Sequence, residues 1–187
     1  VLPLDPQLQA ELDACAVWLV VTPAPGAMLD LSVYAPCDQG QAVEISHAGL
    51  FLDARTGVDG QLVMQIPALA TEAALTITFA DGRTLSDTAI VPDLAQHERV
   101  VLQWAAPASL LLHAYEFGAN YGDNGHIHAG HPLAPGIQGH GFLTVLGDAT
   151  IPQARLAQVY SYPVETAGRG GQVTLEIEAP VTEASCG

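Results

Sequence analysis

Apolar and polar positions alternate with a period of two along most of this chain, and nowhere does a helical period persist for three turns. From Ala14 the segment CAVWLVVTPAPGAMLDLSVYAPC places β-branched and aromatic residues on both sides of a Pro-Ala-Pro-Gly break, which predicts two antiparallel strands joined by a turn. AVEIS, LFLDA and QLVMQIP follow as short strands, separated by HAG and TGVDG, whose glycines allow the backbone conformations that turns need. In ALTITFADGRTLSDTAIV, Leu75, Ile77 and Phe79 alternate with Thr76 and Thr78, and Asp81-Gly82 predicts a two-residue hairpin turn. Val100, Leu102 and Trp104 alternate with Val101 and Gln103 in a further strand. This gives about seven or eight strands before residue 105, at the spacing of a β-sandwich.

After Trp104 the pattern starts afresh. SLLLHAYEF reads as a strand, the glycine- and histidine-rich run that follows as a long loop, and GFLTVLGD, ARLAQVYSYP and GQVTLEIEAPV as three more strands. In the last of these, Val173, Leu175 and Ile177 alternate with Thr174, Glu176 and Glu178, which predicts one wet face. The fold class expected is all-β, in two sandwich-like units. Residues 1–13 form a linker, 14–104 an immunoglobulin-like or transthyretin-like sandwich, and 105–187 a second β-rich domain carrying the histidine loop. The segment His140–Leu146, HGFLTVL, is an apolar strand with no charge to guard it, so another element or a partner chain is expected to cover it.

Charge narrows the function. Twenty acidic residues face five basic ones, all arginine, for a net charge of −15 over 187 residues. Such a chain repels phosphate backbones and anionic head groups, which excludes nucleic acid and peripheral membranes as natural partners. With 49 % hydrophobic and only 13 % charged residues it is long and apolar enough to bury a core. No apolar run is long enough to span a membrane, and an export signal or anchor is expected to lie outside the sequence. There is no GxxxxGK[ST] loop and no lysine to reach a phosphate, nor a G-x-S-x-G nucleophile elbow.

Two resemblances add to this reading. The run LFLDARTGVDGQLVMQIPAL resembles the strand-turn-strand of carboxypeptidase-regulatory-like and related immunoglobulin-like modules through Thr56, Asp59, Gly60 and Pro67, with Gly57 where that family usually has Asp. The combination of HAGLFLDA, PAL, LQW, LHAYEFGANYG and the closing EASCG is similar to a family of exported proteobacterial proteins of unestablished activity, sometimes labelled translocases. That resemblance implies an envelope location and lends no catalytic residue. A translocase would need a membrane span or a nucleotide site, and the sequence offers neither.

The stretch HAYEFGANYGDNGHIHAGH holds four of the seven histidines. His126 and His128 sit two apart, so a strand would put both imidazoles on one face; His131 follows, and His113 with Glu116 can arrive from a neighbouring strand. His113, Glu116, His126, His128 and His131 are therefore the candidate ligands of a zinc or copper ion, with a solvated or hydrogen-bonded loop as the competing expectation. Asp123-Asn124-Gly125 hints at a calcium loop but lacks the downstream glutamate and reads as a tight turn. Glu116 and Asp123 are also a candidate acid pair. Trp18, Trp104, Tyr115, Tyr121, Tyr160 and Tyr162 are candidate sugar-stacking rings, with a place in the core as the alternative, above all for the tryptophans.

Pairing residues 14–22 against 28–37 around Pro25-Gly26 sets Trp18 opposite Tyr34 and brings Cys15 within a residue of Cys37, close enough for a disulfide. Two buried thiols are the alternative, in a reducing compartment. Cys186 is the odd cysteine, expected to be free or bonded to other chain. The function expected is that of a non-enzymatic, exported structural, adhesive or binding module, periplasmic or at the cell surface, with a protein partner or self-assembly. The alternatives are a metal-dependent hydrolase or metal-binding protein centred on residues 113–131, and a carbohydrate-binding module.

Overall fold

The computed structural model describes residues 14–164 and 171–180; the expected linker, residues 1–13, and Cys186 lie outside them. Thirteen strands run in order: β1 Trp18–Ala24, β2 Met28–Tyr34, β3 Ala42–His47, β4 Leu50–Arg55, β5 Gln61–Pro67, β6 Glu72–Phe79, β7 Thr84–Ile90, β8 His97–Ala105, β9 Leu111–Glu116, β10 His126–Ile127, β11 Phe142–Leu146, β12 Arg155–Pro163 and β13 Val173–Glu178. A 3₁₀ turn, Pro92–Gln96, precedes β8. The strands form four antiparallel sheets, ordered β1-β2-β5, β4-β3-β6-β7, β11-β12-β8 and β10-β9-β13. The all-β expectation holds, and among the described residues no helix is long and apolar enough to cross a membrane.

The first hairpin has the expected register. Trp18 pairs with Tyr34, and a disulfide joins Cys15 to Cys37, with Cα atoms 5.3 Å apart. Apolar residues of β1 and β2 alternate inward: Val21, Leu29, Leu31 and Val33 meet Ile45, Leu52, Leu75 and Ile77 of the four-stranded sheet in one core. Outward-facing Trp18 is half-exposed, at 48 %, and so does not join that core. The hairpin between β6 and β7 differs from expectation by one residue. Phe79 N–H donates to Arg83 O and Gly82 N–H to Phe79 O, which makes a three-residue loop. Gly82 takes a φ of +87° there, a left-handed conformation that completes such loops.

β8 does not join the seven strands before it. It pairs along its whole length with β12, from His97↔Pro163 to Ala105↔Arg155, so the division drawn after residue 104 falls within one strand of a sheet. Leu146, Ala157 and Val159 share the main core with β1–β7. Polar clasps bind these layers. The Arg155 guanidinium grips Asp53 with Nε at 3.0 Å and a second nitrogen at 2.5 Å, which holds the Asp53 carboxyl below its ordinary value. Arg99, lowered by burial to a pKa of about 10, donates to Gly26 O at 2.7 Å, to Ser161 Oγ at 3.0 Å and to Ala68 O.

β11 is an edge strand, as HGFLTVL suggested. Its outer side is partly closed by the chain's own segment, with Leu143 N–H donating to Pro132 O at 2.7 Å. Phe142, Leu143 and Leu146 are buried, each in a different cluster and so on both faces of the strand, while Val145 stays 55 % exposed. β13 departs from its expected pattern: Leu175 and Ile177 are both exposed although they alternate like core residues. β13 lies at the edge of a three-stranded sheet, and of its inward-facing residues Val173 packs against the core cluster while Leu175 and Ile177 do not join it.

Candidate functional site

The small sheet β10-β9-β13 carries the candidate site, and strand parity divides the expected residues. Along β9, Leu112, Ala114 and Glu116 face the interior, while His113 and Tyr115 face the other way. Glu116 is three residues from His113, an odd offset, so it cannot share a face with it. Its carboxylate instead accepts His140 Nδ1–H at 2.6 Å, Gly141 N–H at 2.7 Å and Tyr160 O–H at 2.7 Å. Burial and this carboxylate push the Tyr160 hydroxyl well above its ordinary range, keeping it a donor. Glu116 thus leaves the proposed ligand set and ties β9, β12 and the approach to β11 together.

The histidines converge on the outer face. His126 pairs with Tyr115, and Ile127 with Ala114; the next step of that register sets His128 opposite His113. His128 in turn bridges to His131 across a two-residue turn, and on the far side His113 pairs with Glu176 of β13. Glu176, His113, His128 and His131 therefore form a row across the sheet, with His126 and Tyr115 in the neighbouring row. The ring centroids of His126 and His128 lie 4.3 Å apart, His113 and His126 5.1 Å, and His113 and His128 5.4 Å. Tyr115 stacks on His126 at 4.5 Å, and Tyr121 leans against it, tilted, at 4.8 Å. His126 is buried by these rings rather than by depth in the core. Gly130 permits the approach at the turn, since a Cβ there would stand 2.9 Å from His128 Cε1.

Hydrogen bonds fix the protons in this group. Gly122 N–H donates to His126 Nδ1 at 3.1 Å, so His126 carries its proton on Nε2 and donates to His113 Nδ1 at 2.8 Å. The His113 proton is then on Nε2, a buried atom with no hydrogen-bond partner among the described residues; a Glu178 carboxylate oxygen lies 3.3 Å away. Gly130 N–H donates to His128 Nδ1 at 3.2 Å. Burial and then the neighbouring imidazoles lower the pKa of both His126 and His128. Among the described residues, no three His, Cys, Asp or Glu side chains are arranged so that they could hold a metal ion without rotating. The rings are gathered and stacked, with a proton between two of them.

The other candidates separate. Asp123 accepts Asn120 N–H at 2.7 Å within its own loop, and His126 N–H donating to Asp123 O at 3.0 Å closes the tight turn expected of Asp-Asn-Gly. The six proposed sugar-stacking rings do not share a surface. Tyr160 is buried, and Trp104 lines a groove with Phe51, Gln103 and Arg155. Tyr160 and Tyr162 line a cleft of about 560 Å³ beside Val100 and Leu175, on the opposite side of the sheet from the histidines. Trp18 instead meets Tyr34, at 5.5 Å, on the outer face of β1-β2-β5. There the rows Trp18–Tyr34–Gln61 and Val20–Ser32–Val63 lie side by side. Trp18, Val20 and Val63 are 48, 45 and 70 % exposed. Sequence reasoning missed this patch because both faces of the hairpin are apolar, and it missed Glu178 and His140 because distant segments deliver them.

No family model matches the chain, and no curated protein matches it.

Proposed function

We propose that this protein is a non-enzymatic, exported binding module of the cell envelope or an extracellular assembly. In this reading β1–β7 form an immunoglobulin-like sandwich that presents the outer face of β1-β2-β5 to a protein partner. One observation carries it: Trp18, Val20 and Val63 stand exposed on adjacent cross-strand rows, with Tyr34 against Trp18. An apolar patch of this kind on an otherwise acid-rich surface has the composition of an interface core with a charged surround. The Cys15–Cys37 disulfide, which clamps the same hairpin, supports an oxidising compartment and hence export. The resemblance to exported proteobacterial proteins agrees with that placement.

Site-specific photocrosslinking in the native envelope tests the reading. A crosslinker at Val63 is expected to give a discrete protein adduct that Trp18→Ala weakens at least tenfold. The same probe at Val58, exposed on the Thr56–Gly60 turn, should give none. Equal labelling at the two positions, or none at Val63, overturns the proposed face. A glycan array positive for the intact protein, with no protein adduct, would replace the protein partner by a carbohydrate.

A further inference from the structure

The outer face of β10-β9-β13 belongs to a different sheet from that patch and carries a different chemistry. We propose that His113, His126, His128 and His131 bind a divalent first-row transition ion of the imidazole-preferring kind, zinc or copper, with Glu178 as the carboxylate behind His113.

Four features on this face favour such an ion. The first is supply: cross-strand register brings four imidazoles from three backbone segments into two adjacent rows, with Glu176 and Glu178 at the margin. Neutral imidazoles with carboxylates nearby suit zinc and copper and offer little to calcium or magnesium, which prefer oxygen. The second is convergence. His113 Nδ1 and His126 Nε2 already face one another at 2.8 Å across a single proton. Two nitrogens bound to one ion at about 2.0–2.1 Å stand a little over 3 Å apart with both lone pairs aimed at the ion, so replacing that proton takes a slight separation and a rotation of both rings out of their head-on contact. The third is the buried His113 Nε2, without a hydrogen-bond partner among the described residues and 3.3 Å from Glu178. Rotation of the exposed Glu178 side chain would complete the N–H···carboxylate contact that orients imidazoles on metals. The fourth is the Ala129-Gly130 turn, which sets His131 directly across from His128.

Binding has a proton consequence that marks it. When His126 Nε2 takes the ion, its proton moves to Nδ1, where the Gly122 N–H now donates. Two donors cannot face one another, so the Gly122 contact opens. Coordination through His128 Nε2 opens the Gly130 contact in the same way. A metal therefore unlatches the two glycine turns, while the Gly141 N–H held by Glu116 is unaffected.

Calorimetric titration of chelator-dialysed protein with zinc chloride and copper chloride, one metal at a time, tests the site. One equivalent per chain is expected, with copper bound at least tenfold more tightly than zinc. His113→Ala and His126→Ala should each weaken binding at least tenfold, Glu178→Gln about tenfold, and His97→Ala not at all. Because the alanine variants can disturb the fold, the wild-type protein supplies the second readout: zinc should shift the Gly122 and Gly130 amide resonances and the imidazole nitrogens of His113, His126 and His128, leaving those of His47 and His97 in place. Absence of saturable binding, or binding that the His113→Ala/His126→Ala pair retains, overturns the proposal, as does zinc moving only His47 or His97. The photocrosslink at Val63 is independent of each of these outcomes.

Discussion

The two faces of β9 set a closed polar site beside an open one. On the inner face the Glu116 carboxylate takes three donors from two segments, and each donor has it as its partner. On the outer face His113 and His126 hold one another, two glycine amides supply further donors, and one buried N–H is left over. A buried charge with all its bonds made fixes geometry and has no capacity for a further ligand. A cluster of neutral imidazoles is exchangeable, because a proton, an ion or a turn of the loop can take each position. One strand presents both, and a single residue step decides which face a side chain serves.

The largest test breaks the closed side. Glu116→Ala strands the Tyr160 hydroxyl, the Gly141 amide and His140, and should cost about 3–5 kcal/mol in urea unfolding. A loss below about 1 kcal/mol would mean that water already shares this network. Tyr160→Phe removes one donor and leaves the carboxylate two, so about 1–2 kcal/mol is expected in the same measurement.

Acidification should act on the open side first. His126 and His128 titrate below their ordinary value when folded, as does His47, which is buried between Ala74 O and Leu69 N–H. As pH falls below about 6.5 the unfolded chain binds protons that the folded chain resists. The stability these groups contribute is complete above that pH and is lost as pH passes down through their depressed folded values. Thermal unfolding of metal-free protein should therefore shift downward between pH 7 and pH 5. Hydrogen exchange, corrected for intrinsic rate, should quicken at Gly122 and Gly130 and hold steady at Gly141; quickening at all three together would erase the contrast between the faces. The smallest effect concerns β13. Ile177 alternates as a core residue yet is 62 % exposed, so Ile177→Thr should change stability by no more than about 0.5 kcal/mol.

These differences mark what the chain makes legible. Local signals were sufficient for the first hairpin: Pro25-Gly26 punctuates it, and counting outward pairs Trp18 with Tyr34 and Cys15 with Cys37. Which face of that hairpin meets solvent was not legible, because Trp18 and Val20 are as apolar as Leu19 and Val21. Strand order was also hidden. β8 follows β7 in sequence yet pairs with β12, more than fifty residues on, a choice set by packing between layers. In the candidate site, His-x-His correctly gave two rings on one face, whereas grouping Glu116 with His113 overlooked the odd offset between them along β9. The arrival of Glu176 and Glu178 depends on β13 pairing with β9, which no local pattern encodes.

The Cys15–Cys37 crosslink also has a mechanical consequence. It closes the open end of the β1–β2 hairpin, with a sequence separation of 22, so tension applied to the chain ahead of Cys15 passes through the sulfurs directly to Cys37. The hairpin lies outside that load path. Pulled in an oxidising medium, the protein should withhold roughly 70–80 Å of contour length that reduction would release. The two sulfurs thus shield from force the same two strands that carry Trp18 and Val20.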